Sequence, residues 1–224
     1  MIGTVVNTIA IIVGAGLGIL IGSRLSSRFK ETAMQGIGLA VILIGLNMAL
    51  ETNSIIIVIF SLLLGGIIGE ILRIESRLHN VGKWFEKRMK KESQLAEAFM
   101  QCSLIYCVGA MAIMGALQDG LLNDPSTLYA KSLLDGFSAI AFASTLGPGV
   151  FLSAIPVFIY QGTISLLSAF LQPLLTEQVI TEMTAVGGLL IVGIGLNLLE
   201  ITEIKVGNLL PGLFMAVVLS LLVL

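Results

Sequence analysis

Apolar stretches of roughly 20 residues follow one another along this chain with only short charged or glycine-rich breaks, and about 20 residues is what an α-helix needs to cross the hydrocarbon of a bilayer. Hydropathy, punctuated by charge and turn residues, predicts helices near 3–23, 33–50, 54–72, 95–117, 131–147, 150–172, 183–200 and 205–223. The expectation is an all-α polytopic membrane protein of about eight spans, the fifth being the one its own charges interrupt. Composition agrees: of 224 residues 56% are hydrophobic and 12% charged, with mean hydropathy +1.02, where a soluble domain has roughly a quarter charged. Net charge is −2, which supplies no general basic field, so the expected partner is the lipid bilayer and not nucleic acid.

The first segment has no basic residue before it and three after it, Arg24, Arg28 and Lys30, the reverse of a secretory signal, so a permanent span is expected. Ten of the 12 Lys and Arg fall in two connections, three at 24–30 and seven at 73–91. The positive-inside bias puts both in the cytoplasm, and the even number of crossings between them makes the two assignments agree. The N-terminus is then outside, and with eight spans the C-terminus too. Within 73–93, Ile74, Leu78, Val81 and Phe85 recur at helical spacing beside Trp84, with Arg77, Lys83, Lys87 and Arg88 on much of the remainder. That pattern predicts an interfacial amphipathic helix anchored on the inner leaflet, or a regulatory contact with lipid or protein.

The stretch from Gly38 to Asn47 matches the stretch from Gly188 to Asn197 at an offset of 150, six of ten positions being identical, among them the final Gly-Leu-Asn. The same offset lays the first span on the sixth and the third on the eighth. Two three-helix repeats result, at 1–72 and 150–224, around the cytoplasmic connection at 73–94 and central helices at 95–149. With eight spans the repeats are inverted, an arrangement in which secondary transporters hold their solute at the repeat interface near the midplane. A re-entrant fifth span would make them parallel.

Asn7, Asn47 and Asn197 lie in apolar helices, where an unpartnered amide is costly, so they cap helices, bond to neighbours or line a pathway. Asp119 closes the fourth span and Asp135 lies inside the start of the fifth. Ionisable residues within spans mark ion or solute pathways; the alternatives are a loop position for Asp119 and an outer-interface position for Asp135, paired with Lys131 one turn earlier. Ser144-Thr145-Leu146-Gly147-Pro148-Gly149 cannot continue a helix. It is either a break whose freed carbonyls suit a cation or a tight cytoplasmic turn. Gln161 adds a polar band in the sixth span. The candidate pathway is therefore Asn7, Asn47, Asp119, Asp135, Ser144, Thr145, Gly147, Gln161 and Asn197.

Gly14, Gly18 and Gly22 recur every four residues on the first span, as do Gly65 and Gly69 on the third, letting helices approach closely. They pack helices within the chain or form a homodimer face. Cys102 and Cys107 have neither redox nor metal spacing and read as inert core thiols, while the one histidine, His79, falls in the basic connection. No catalytic relay, metal site or cofactor is expected, and an enzyme acting on lipid through Ser144 or the two aspartates is the weakest reading.

The opening Gly3-Thr4-Val5-Val6-Asn7, the Gly-Leu-Asn helix, Met114-Gly115-Ala116-Leu117-Gln118-Asp119-Gly120, Asp135-Gly136, the 144–150 segment and Gln161-Gly162, taken together, resemble the bacterial inner-membrane family of unknown function numbered 554, the YdfK/YqgA-like proteins. The resemblance spans essentially the whole chain. It implies a multi-pass protein of the bacterial cytoplasmic membrane without an established substrate. The residues themselves favour a small secondary transporter or ion-conducting protein, linked to a monovalent cation and a small solute. The rival reading is a non-transporting scaffold or regulatory subunit acting through its glycine faces.

Overall fold

The computed structural model describes residues 1–24, 26–77 and 95–223, and the regular structure among them is helical. In order come α1 (Ile2–Gly22), α2 (Ser27–Ala49), α3 (Ile55–Leu72), α4 (Leu95–Cys107), α5 (Ala110–Leu121), α6 (Ser126–Leu146), α7 (Gly149–Leu152), α8 (Ala154–Leu166), α9 (Ser168–Leu171), α10 (Glu177–Leu198), α11 (Val206–Leu209) and α12 (Pro211–Val223). Among the described residues five helices are long and apolar enough to cross a membrane: Ile2–Gly22, Glu31–Ala49, Ile55–Leu72, Gly149–Leu166 and Glu177–Leu198. Helices α4 and α5 make a sixth if taken as one bent span. Of the two further expected spans, one is α6, which carries Lys131 and Asp135, and the other is a shorter apolar helix, Val206–Leu222.

Several boundaries differ from expectation for local reasons. The fourth span was expected to be continuous, yet it bends by 60° between α4 and α5, where Gly109 takes a φ of +124° that side-chain-bearing residues rarely adopt. Helix α6 begins at Ser126, five residues before the apolar pattern does. Asn123 stops α5 with a φ of +52°, and the Asp124 carboxylate accepts the Ser126 N–H at 3.0 Å. That bond holds the exposed Asp124 carboxyl below the ordinary range. Helix α10 likewise begins early, at Glu177, with the Thr176 hydroxyl accepting from the Val179 N–H.

Glycine sets how the helices pair. A methyl group on Gly14, Gly18 or Gly22 would collide with the carbonyl oxygens of Gly136, Ile140 and Ser144 in turn, so α1 runs parallel to α6 at backbone contact. Helix α8 is related to the fourth span in the same parallel sense. Gly149 lies against Leu95, and the Ser165 hydroxyl donates to the Ala116 carbonyl at 3.0 Å. Helices α2 and α10 are antiparallel: a methyl on Gly45 would sit 2.6 Å from the Gly188 oxygen, and one on Gly188 would sit 2.6 Å from the Gly45 oxygen. Gly65 and Gly69 meet Gly212 and Asn208, which makes α3 antiparallel to α11 and α12.

These directions sort the connections into two ends. Met1, 50–54, 119–125 and 167–176 gather at one end, and 23–24, 73–77, 147–148 and 199–205 at the other. Inside, Ile11, Val41, Tyr106, Phe142, Val157 and Ile191 form one apolar core. Outside, α1, α2, α3 and α6 present exposed Leu20, Leu39, Leu43, Leu63 and Phe137 among others, a surface suited to hydrocarbon. Arg77 is exposed at the end of the described part of the basic connection, while Lys83, Trp84, Lys87 and Arg88 lie outside the described residues.

Candidate functional site

Asn7, Asp135 and Gln161, named from three distant stretches of sequence, meet at one buried point. The Asn7 amide nitrogen donates to Asp135 Oδ2 at 3.0 Å and to Gln161 Oε1 at 3.3 Å. Lys131 Nζ lies 3.0 Å from Asp135 Oδ1, one helical turn away on α6. Lys131 is thus Asp135's partner, as spacing allowed, but both side chains are only 8% exposed instead of lying at a surface. Asp135 is the tenth of the 21 residues of α6, so the pair is set well inside that helix.

An ion pair is tolerated in an apolar interior only if its remaining hydrogen-bonding capacity is met. Here the carboxylate has one donor on each oxygen, but the shell around it is incomplete. Asn7 Oδ1 and Gln161 Nε2, the remaining atoms of the two amides, are buried and have no hydrogen-bond partner among the described residues. Tyr106 of α4 packs against Phe142 of α6, ring centroids 6.3 Å apart, so the bent span lies beside the helix that carries the charged pair.

The other candidates lie elsewhere. Asp119, 2% exposed, holds the start of α1: its carboxylate lies 3.0 Å from the Met1 amino group and accepts the Gly3 N–H at 3.1 Å. Asn47 is exposed near the end of α2. Asn197 ties down the 199–205 connection, donating to the Ile204 carbonyl and accepting its N–H, both at 2.8 Å. It also lines a cleft of about 840 Å³ together with Met34, Glu75, Glu97, Leu146 and Lys205, at the end that carries Arg24 and Arg73. Ser144 and Thr145 belong to the last turn of α6, and the tight turn that follows is Gly147 and Pro148, so the chain is not unwound at 144–146. Both hydroxyls donate back into α6, and Gly147 has a φ of +80°. Gly14, Gly18, Gly22, Gly65 and Gly69 all face helices of the same chain.

Sequence reading missed three features. Glu182, fully buried, accepts the Thr52 hydroxyl at 2.5 Å and the N–H groups of Asn53 and Ser54 at 2.9 and 3.1 Å, capping α3 from α10. At the opposite end Glu75 accepts the Gly207 N–H at 2.6 Å and Glu70 the Asn208 amide at 2.6 Å, so α11 is capped from the α3 side. Nothing in the local sequence of these acids distinguishes them from loop residues. The Gly109 bend had a signal, an isolated glycine after Val108, but it sits in a helix-compatible apolar pattern.

A helical chain with an apolar exterior and a charged, sealed interior site is a multi-pass membrane protein. It belongs to the family described as "Protein of unknown function (DUF554)", whose pattern matches residues 2–221. It is 33% identical over 217 residues to "Uncharacterized membrane protein YdfK" of Bacillus subtilis (strain 168), covering 95% of this chain and 93% of that one. It is also 33% identical over 227 residues to "Uncharacterized protein YqgA" of Escherichia coli (strain K12), covering 98% and 96%. No solved structure matches it.

Proposed function

We propose that this protein is a small secondary transporter or ion-conducting protein of the bacterial cytoplasmic membrane, linked to a monovalent cation, moving a solute or ion without transforming it chemically. The observation that carries the reading is the buried Lys131–Asp135 pair with its half-satisfied amides, built from α1, α6 and α8. Charge within a membrane bundle is costly to keep, and a purely structural pair would have its shell completed.

The route is proposed to run between two inverted three-helix repeats in an eight-span bundle. Reciprocal contacts support this. The offset of 150 carries Gly38, Ile42 and Gly45 onto Gly188, Val192 and Gly195. Gly45 touches Gly188 and Val192, and Gly195 touches Gly38 and Ile42. Exchanging the repeats turns each set of contacts into the other, as a two-fold axis does. The parallel pairings of α1 with α6 and of α8 with the fourth span are exchanged in the same way. On this reading the Asn7–Gln161 hydrogen bond crosses the repeat interface, where inverted-repeat transporters bind. Exposed Arg24, Arg28, Arg73 and Arg77 share one end, which supports a cytoplasmic assignment for it and for the 840 Å³ cleft.

The test is flux into liposomes holding the purified protein, under imposed Na⁺, K⁺ and H⁺ gradients, with Asp135→Asn alongside. Flux lost in a variant that remains folded and inserted supports the pathway. Flux equal to that of empty liposomes under every gradient overturns cation linkage.

A further inference from the structure

We infer that Lys131 stands in the place of a metal cation at Asp135, so that the ion exchanged at this site is a proton and not Na⁺ or K⁺. The inference rests on the transport reading above and narrows its coupling ion. Both Asp135 oxygens are taken by donors, Lys131 Nζ at 3.0 Å and Asn7 Nδ2 at 3.0 Å. A hard cation needs a cage of oxygen ligands. Of the amide oxygens at this point, Gln161 Oε1 already accepts from Asn7, which leaves Asn7 Oδ1 open. A metal ion entering beside Lys131 would also set two positive charges against one carboxylate, where low dielectric magnifies their repulsion.

A proton needs one oxygen and no cage. Bound at Oδ1, it forms an O–H bond to Asp135 and breaks the hydrogen bond from Lys131, whose ammonium keeps its three protons and turns to another acceptor. Asn7 Oδ1, buried without a partner on the amide that already reaches Asp135, is the acceptor at hand. Release of the proton restores the pair. Lysine suits this role because its compact ammonium moves on a flexible stem.

The other titratable groups near the pair are few. Helix α4 carries Glu97, Cys102, Tyr106 and Cys107, α6 itself adds Tyr129, and α8 carries Tyr160. The acid of α5, Asp119, is engaged by the Met1 amino group and Gly3. Helix α2 carries its charged residues, Arg28, Lys30 and Glu31, in its first five positions, at the opposite end of the bundle from Met1. Helices α1 and α7 have no acidic, basic, cysteine or tyrosine side chain.

The experiment is infrared titration of the full chain in lipid, following the carbonyl stretch of protonated carboxyl groups in choline, sodium or potassium chloride at equal ionic strength. The expected result is a band that appears on acidification, is lost in Asp135→Asn, moves in frequency in Asp135→Glu, and titrates identically in all three salts. In Lys131→Met, sodium is expected to suppress the band, because the standing cation is gone. Suppression by sodium in the parent chain overturns the inference, as does absence of any band that responds to both Asp135 substitutions. A Lys131→Met chain that stays blind to sodium removes Lys131 from its role. The titration requires no transported solute, so its outcome is separate from that of the liposome flux. A sodium-blind band without flux removes the transport reading alone, and sodium-driven flux removes this one.

Discussion

Three contacts join the first three helices to the rest of the bundle, that of α3 with α11 and α12 among them, and the other two are built from opposite materials. Where α2 crosses α10, Gly38, Gly45, Gly188 and Gly195 bring backbone against backbone in a reciprocal seam. Where α1 meets α6 and α8, glycines again allow close approach, but the space beside them is filled by Asn7, Lys131, Asp135 and Gln161. The first contact is apolar where its glycines meet; the second is charged and leaves the Asn7 and Gln161 amides half unmatched. A seam that depends only on shape is suited to act as a pivot. A seam with unmet hydrogen-bonding capacity is suited to bind and release something.

The difference can be broken most severely at Lys131. Lys131→Met leaves Asp135 an unpaired buried charge and is expected to cost about 3–5 kcal/mol, read as a loss of thermal stability in detergent or lipid. Adding Asp135→Asn should return most of that stability while flux stays absent. If the double variant is no more stable than the single one, the pair is not an isolated ionic unit.

Next comes the glycine seam. Gly45→Ala is expected to cost about 1–3 kcal/mol through overpacking, and Gly188→Ala the same, because each methyl meets the other residue's carbonyl at 2.6 Å. Gly16→Ala, with no atom within 4 Å of the added methyl, should be neutral or stabilising by about 0.5–1 kcal/mol. Unequal costs of Gly45→Ala and Gly195→Ala, the two positions that the offset of 150 relates, would count against the two-fold relation. Smaller still, Glu182→Gln weakens the cap on α3 and should cost about 0.5–2 kcal/mol in the same unfolding assay. Asn47→Leu touches an exposed side chain that makes no hydrogen bond among the described residues, and should stay within about 0.5 kcal/mol of the parent.

Much of this arrangement was legible from one chain. Helical membrane architecture followed from hydropathy, and the residues of the buried point, Asn7, Asp135 and Gln161, stood out because polar groups in apolar helices are rare and costly. The glycine stripes announced close packing without naming the partner helix. The Ser144–Gly149 segment announced an interruption, and the chain reverses there in a turn of ordinary tightness. The Gly109 bend escaped notice because a single glycine in an apolar run leaves helical periodicity intact.

Sequence by itself determined that this chain is helical, belongs in lipid and carries a few polar groups where lipid should be, since each of those properties depends on residues close together along the chain. Only the tertiary structure decided which of those groups meet. Asn7 and Asp135 are 128 positions apart and Asn7 and Gln161 are 154 apart, distances over which no local pattern constrains pairing. The same holds for Glu182, whose role as a cap depends on the backbone of α3, 128 to 130 positions away. A charge has a price in lipid that can be read locally, whereas its partner is fixed by helix packing.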